Sequence, residues 1–458
     1  MFKLSFYHVV TPILEELGNP PSRIIYSSRT GRSLTITDLL YQKLCNAQYE
    51  DIVSKTLSEL IYAELLVPAD ENEFDEVLTQ NNTAIKDEKN LDITIQPTAN
   101  CQLGCHYCGQ VHSQKKMSDE YQQKTVDRIK HNLSLKNYKS IAIEWYGGEP
   151  LLALPGILTM SEDLIKHCDI NSIRYQAEMI TNGLIFKKET FLKLLKAKVT
   201  HYQITLDGLA EFHDTRRITK KGAGTFDIIF KNVLEVIETD EFDKSGATIT
   251  LRINIDYDNY LGVDKLIDLF ADHGIQHKRV GIDFVGVVNW GDNHADKNSL
   301  SAQDFADKRI DWLLYAMQKG FTFGDLLPRR IAGPCMVVKE HAEVYDASGN
   351  IYPCYEFPYT PKYEKPAYKI GHLDTIEKEK NTHATTKNWL EDVKTDIATC
   401  RTCNLFPVCG GGCPKMWYNE ERACPSYKNN MEDLLVLDYL MKKNKKNELV
   451  NALQSEIL

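Results

Sequence analysis

Apolar and polar positions change their period three times along this chain. From residue 91 to about residue 299, short strand-like runs alternate with longer amphipathic ones. The strand-like runs are 92–97, 140–146, 174–180, 201–206, 248–256 and 281–288, and the helical patterns between them include 119–135, 187–195, 226–236 and 260–273. This alternation predicts an α/β fold with parallel strands, right-handed crossovers and functional residues at the C-terminal strand ends. Ahead of it, residues 23–37 alternate around Thr30-Gly31 as a hairpin does, and helical patterns follow from Leu39 and over 52–65. Thr37-Asp38 supplies a helix start, 71–76 reads as an acidic break and 80–90 as a polar linker. Beyond it, 343–345 and 350–352 flank Ser348-Gly349 as a second hairpin. Residues 434–440 then begin a last helix that leads to Lys442, Lys443, Lys445 and Lys446, a basic tail.

Composition narrows the class. The 458 residues, 43% hydrophobic and 26% charged, allow two to four domains with real cores. A net charge of −10 argues against a general nucleic-acid binder. No apolar run approaches the roughly 18 residues of a membrane span, and residues 1–17, with His8 and Pro12, lack a signal-peptide cleavage site. A cytoplasmic protein without membrane or nucleic-acid partners is the expectation, and there twelve cysteines favour metal or redox work over disulfides. Cys45 and Cys168 stand apart among leucines and are expected as small buried hydrophobes.

The chemistry starts just past the first strand of the alternation. Cys101, Cys105 and Cys108 lie at i, i+4 and i+7. Three thiolates so spaced suit three irons of a [4Fe–4S] cube and leave the fourth open; half of a zinc site, or three ordinary buried thiols, compete with that reading. The Cys-x3-Cys-x-aromatic-Cys pattern resembles the signature of radical S-adenosylmethionine (SAM) enzymes. That resemblance implies a partial (β/α)6 TIM-like barrel, SAM chelated by the open iron, and cleavage of SAM to a 5′-deoxyadenosyl radical that takes a hydrogen atom from substrate. Gly147-Gly148-Glu149-Pro150 matches the family's motif for gripping the SAM amino group, although alone it is a turn before a helix. Thr181-Asn182-Gly183, Thr205-Leu206-Asp207-Gly208, His213-Asp214, Arg216 and Gly222-x-Gly224-Thr225-Phe226 resemble the peptide-modifying branch of the superfamily. The resemblance makes Thr181, Asn182, Thr205 and Asp207 cofactor-binding, pairs Arg216 with the SAM carboxylate and sets Tyr107 beside the adenine. Capping and packing roles compete for Asp207, His213-Asp214 and Tyr107. Arg252 and Asn254, on the fifth strand, would point into the barrel mouth.

Seven further cysteines follow. Cys335 precedes Gly349-x4-Cys354, and a later run reads Cys400-x2-Cys403-x5-Cys409-x3-Cys413 with Cys424 beyond. Cys-x2-Cys is also a zinc-ribbon element, but the full order resembles the SPASM domain. That likeness implies two auxiliary [4Fe–4S] clusters, one on Cys335, Cys354 and Cys413 and one on Cys400, Cys403, Cys409 and Cys424, hence three clusters in all. The hairpin and short helices of the first ninety residues resemble the small winged-helix domain that recognises precursor-peptide leaders, with a plain structural cap as the alternative. The divisions expected are a winged-helix-like domain at 1–88, the barrel at 91–310, a SPASM domain at 311–430, and a helix with basic tail at 431–458.

Taken together, the likenesses imply a maturase that installs a carbon–carbon, ether or thioether crosslink in a ribosomally made precursor peptide. A flavodoxin or ferredoxin would donate the electron. Formylglycine formation, as in sulfatase maturation, is the alternative. Those enzymes carry an aspartate base after the cysteine matching Cys354, where this chain has Tyr355 and then Glu356, the candidate acid, base or electron relay. A non-catalytic, metal-bound peptide scaffold is the third reading.

Overall fold

The computed structural model describes all residues except 16–18, 292, 376–380, 382–383, 396 and 456–458, and the side chains of 444–455, among them Lys445 and Lys446, also lie outside the described residues. Five short strands open the chain: β1 (Phe2–Leu4), β2 (His8–Val10), β3 (Ser22–Ser27), β4 (Arg32–Thr37) and β5 (Leu66–Pro68). β2, β3 and β4 form an antiparallel sheet with β4 at one edge, and β1 pairs with β5. The Thr37 hydroxyl accepts from the Leu40 amide and caps the helix Asp38–Cys45, at whose end Cys45 is exposed, contrary to its expected burial. Cys168 is buried as expected.

The acidic break and polar linker expected over 71–90 are instead one helix, Glu73–Lys86. Asn72 caps it, and Glu73, Asp75 and Glu76 in its first turn oppose the positive end of the helix dipole. Its few apolar residues, Phe74, Val77 and Leu78, fall on one face and are buried against Trp389 and Phe406. Three apolar anchors in fourteen residues are too sparse to read from the sequence.

The six strands of the alternation are β6 (Asn90–Gln96), β7 (Ser140–Trp145), β8 (Arg174–Thr181), β9 (Val199–Thr205), β10 (Thr248–Ile255) and β11 (Val280–Gly286). They pair in chain order, all parallel, with helices in the crossovers. Ile141, Ile143 and Trp145 of β7, and Leu251, Ile253 and Ile255 of β10, join the main core. Their neighbours Glu144, Arg252 and Asn254 take the opposite face, which lines the concave interior of the sheet.

The sheet does not end at β6. β12 (Glu343–Asp346) lies parallel to it, and β13 (Asn350–Tyr352) and β14 (Gly371–His372) follow antiparallel. A buried ion pair fixes this extension. Arg128 donates to both oxygens of Glu343, at 2.8 and 3.1 Å, and Asn132 and the Tyr345 hydroxyl complete the carboxylate's partners. The helix Ala302–Gln318 spans residue 310, with Phe305, Trp312, Leu313 and Ala316 in the main core. The chain closes on the helix Met431–Ser455. Among the described residues no helix is long and apolar enough to cross a membrane.

Candidate active site and metal centres

The loop after β6 carries Cys101, Cys105 and Cys108 at the C-terminal edge of the sheet. Burial pushes all three thiols up, Cys101 to about 11 and Cys108 to about 12; Glu149 and Cys105 add to the first and Cys105 to the second. Without a cation the three are neutral thiols; an iron bound among them would displace their protons and neutralise the thiolate charge that burial opposes. They therefore fit three corners of a cube.

The neighbouring turns hold this loop in place. Gly147 and Gly148 have φ of +79° and +45°, and a Cβ on either would lie 2.4 Å from Gln96 Oε1 or 2.5 Å from the Asn100 carbonyl. The Gly148 amide donates to Gln110 Oε1 at 2.9 Å, and Gln110 in turn donates to Gln96, which donates to the Tyr355 carbonyl at 2.6 Å. Neither glutamine stood out in the sequence, since each acts only through partners far along the chain.

Glu149 is 0% exposed. One oxygen accepts from the Leu151 amide and the Thr181 hydroxyl, the other from the Asn182 amide at 2.7 Å. Glu149 and Thr181 thus brace the ends of β7 and β8. Asn182 is the outward element of this brace, its amide 3.7 Å from Cys101 Sγ and 3.2 Å from Gln102.

Arg216 is 2% exposed, donates to Asp256 at 2.5 Å and to the Asn254 carbonyl at 3.2 Å, and lies over the Tyr107 ring at 5.5 Å. Arg217 also reaches the cysteine loop: it donates to the Tyr107 hydroxyl at 2.7 Å and feels the charge of Cys105. Tyr107 donates to Asp207 at 2.6 Å and accepts from Asn254 at 3.1 Å, and Arg252 donates to Asn254 at 2.9 Å. Tyr107, Asp207, Asn254 and Arg252 are thereby one network along the mouth. Asp207 itself is fully buried, and Thr205 is buried beside it at the end of β9. His213 and Asp214 are structural. His213 contacts the Asp207 amide and Thr225, and Asp214 accepts from the Thr225 and Phe226 amides that open the next helix.

Cys335, Cys354 and Cys413 form a second group, each near enough to influence another: burial first, then Cys413 and Cys335, push the Cys354 thiol up. The turn after Cys354 enters the mouth. Tyr355 packs edge-on against Tyr146 at 5.7 Å. Glu356 is half-buried between Cys108 on one side and Cys354 and Cys413 on the other; burial raises its carboxyl, while Lys415 and Arg252 oppose the rise. Lys415 is 2% exposed, lies over the Trp290 ring at 4.6 Å and has no hydrogen-bond partner for its ammonium. Deeper in the concavity Glu144 and Glu178 are direct cross-strand neighbours, and burial with the Glu178 charge raises Glu144 to about 7. These carboxylates were legible as polar positions in otherwise buried strands.

Cys400, Cys403, Cys409 and Cys424 line one small cavity of about 20 Å³, with Phe406 and Trp417 beside them. Burial and the other three thiols push Cys400 to about 12. Among the described residues no three metal-ligating side chains close on a single ion. Four largely buried thiols around one cavity are a donor set that either an iron–sulfur cluster or zinc accepts.

Comparison with known proteins agrees with the mouth. Residues 95–249 match the radical SAM superfamily. The chain is 24% identical over 369 residues to a cysteine-type anaerobic sulfatase-maturating enzyme of Clostridium novyi (strain NT), covering 75% of this chain and 92% of that protein. It is 21% identical over 366 residues to a serine-type anaerobic sulfatase-maturating enzyme of Bacteroides thetaiotaomicron, covering 71% and 83%. The structure of native anSMEcpe with bound AdoMet and Cp18Cys peptide shares the fold at a TM-score of 0.59 and 18% identity, over 77% of this chain and 99% of that one. With the cysteine loop, the glycine turn and that match on the same strands, this chain is a radical SAM enzyme that acts on a peptide or protein, with SAM and a [4Fe–4S] cluster as its cofactors.

Proposed function

We propose that this enzyme matures a ribosomally made precursor peptide by forming a carbon–carbon, ether or thioether crosslink. One observation carries the reading. The turn bearing Tyr355 and Glu356 stands in the mouth between the SAM-side cysteine loop and the Cys335/Cys354/Cys413 group. When bound, SAM and its cluster supply hydrogen-atom abstraction, and the protein's task is to hold the C–H bond, exclude water and manage the proton. Cys101, Cys105 and Cys108 would hold that cluster. The Gly147-Gly148 backbone, Asn182, Tyr107, Arg252 and Asn254 line the place for SAM, while Glu149, Thr181, Thr205, Asp207 and Arg216 support it from behind. Glu356 is the acid or base, its carboxylate steadied by Arg252 and Lys415. Tyr355 closes the mouth against Tyr146.

The seven C-terminal cysteines would hold two auxiliary [4Fe–4S] clusters in a SPASM-type unit, which take up the electron left on the product. A flavodoxin or ferredoxin is the donor to the SAM cluster. Residues 1–88 act as a winged-helix-like recognition unit: the edge strand β4, flanked by exposed Leu39 and Tyr62, is open to an added peptide strand. Leu39→Glu with Tyr62→Glu should then weaken binding of a fluorescent precursor peptide, and unchanged affinity would defeat this part.

Co-expression with the short open reading frame beside the gene tests the reaction. Mass spectrometry should find a loss of two hydrogens per event, absent with Cys105→Ala. The sulfatase-maturating relatives favour a second reading, formylglycine formation on a sulfatase-like protein. A modified Cys or Ser aldehyde in such a partner, with the precursor unaltered, would establish it instead.

A further inference from the structure

The short helix Pro414–Tyr418 brings a lysine to the mouth. Lys415 is 2% exposed, and its ammonium has no hydrogen-bond partner among the described residues. It lies 4.6 Å from the centroid of the Trp290 ring and 5.4 Å from that of Tyr363. Both aromatic residues are tied into the mouth. The Trp290 backbone abuts Gly109, the residue after Cys108, so closely that a Cβ on that glycine would lie 2.9 Å from the Trp290 carbonyl carbon. A Cβ on the neighbouring Gly291 would lie 3.0 Å from Thr360 Cγ2. Tyr363 stacks on Phe357 with centroids 4.5 Å apart, and its hydroxyl accepts from Asn419 at 2.7 Å. The ammonium therefore sits where the cysteine loop, the segment after β11 and the turn after Cys354 converge. Aromatic faces attract a cation but give its N–H groups no anionic acceptor. A buried ammonium left without one is among the costliest groups a fold can carry. Glu356 feels the charges of Lys415 and Arg252, yet Lys415 is not bonded to it. Two cations thus act on one carboxylate, and the mouth keeps a positive surplus.

We infer that Lys415 is a specificity residue for the peptide and receives a substrate carboxylate, from an acidic side chain or from the C-terminus, beside the Trp290 ring. This role rests on the mouth being the place of the peptide, as proposed above. A carboxylate shielded from water by Trp290 and Tyr363 would gain a charge-assisted hydrogen bond. The corresponding amide would leave the ammonium unpaired, so the mouth selects an acid over its neutral isostere.

The test uses the full-length enzyme, reconstituted anaerobically and saturated with SAM, so that the SAM carboxylate is already in place. Three capped probes are titrated at constant ionic strength: N-acetylglutamate α-amide for a side-chain carboxylate, N-acetylglycine for a terminal one, and N-acetylglutamine α-amide as the neutral control. Ligand-observed NMR should find saturable binding of one or both carboxylates and none of the glutamine probe. The bound carboxylate should also raise the melting temperature of the wild type. Lys415→Met should weaken that binding by on the order of tenfold or more and remove the thermal shift. The variant should itself melt no lower than wild type, because it deletes an unpaired buried charge. No binding of either carboxylate, equal binding of the glutamine probe, or binding unchanged in Lys415→Met would each overturn the role. A lower melting temperature in the variant would overturn it by revealing a partner inside the protein. Lost SAM affinity or lost iron in Lys415→Met would overturn it by assigning the ammonium to a cofactor. None of these readouts needs turnover, so a failure of the crosslinking chemistry is read separately, in the mass of the co-expressed peptide.

Discussion

The cysteine loop after β6 and the four-cysteine ring at 400–424 hold their thiols in opposite ways. The first offers three thiols on a loop whose shape is set from behind by glycines and the Glu149 brace, with a polar network of Tyr107, Asn254 and Arg252 along its open side. The second offers four thiols around one small cavity, lined by the neighbouring Leu405, Phe406 and Trp417. An open, polar, three-ligand site leaves a coordination position for a reactant; a closed, apolar, four-ligand site stores or passes an electron and keeps water out. Under the function proposed above, this contrast separates reactivity from redox relay within one chain.

The hardest blow to this contrast falls on the first site. Cys105→Ala should abolish 5′-deoxyadenosine formation while iron falls only from about twelve to about eight per chain, as three clusters less one require. Loss of all iron would mean that the two sites do not assemble independently. Phe74→Ala probes the packing beside the second site, in the cluster that Phe74 shares with Phe406 and Cys400. Removing a buried ring should cost about 3–5 kcal/mol in chemical denaturation and hasten iron release to a chelator, with the SAM-side iron released last.

Glu144 sharpens the picture of the polar mouth. Its folded value of about 7 lies above the ordinary 4.5, so the folded state holds a proton that the unfolded chain releases between those pH values. Stability should therefore fall as pH rises from 4.5 to 7 and stay reduced above that. Glu144→Gln should remove this fall, gaining up to about 3 kcal/mol over wild type at pH 8 and little at pH 4, as read from paired melts. Equal gains at both pH values would exclude titration as the cause. The smallest effect is at the exposed rim. Arg401 lies 5.0 Å over the Phe74 ring, and Arg401→Ala should cost about 0.5–1 kcal/mol with iron content unchanged.

The sequence alone determined the parallel sheet and the hairpin at 343–352, because strand alternation and helical periodicity are local signals that each buried face must obey. It also singled out the cysteines, whose chemistry is carried by residue type and short spacing. Only the tertiary structure decided that Glu149 braces two strand ends, that Arg216 and Arg217 both reach Tyr107, and that most of the expected linker at 80–90 belongs to a helix packed on Trp389 and Phe406. Each of those outcomes depends on partners tens to hundreds of residues away: Thr181 for Glu149, Tyr107 for Arg216 and Arg217, and Trp389 and Phe406 for Phe74. A carboxylate or guanidinium looks the same in sequence whether it meets a ligand or a backbone amide, and only packing sets which of the two lies within reach.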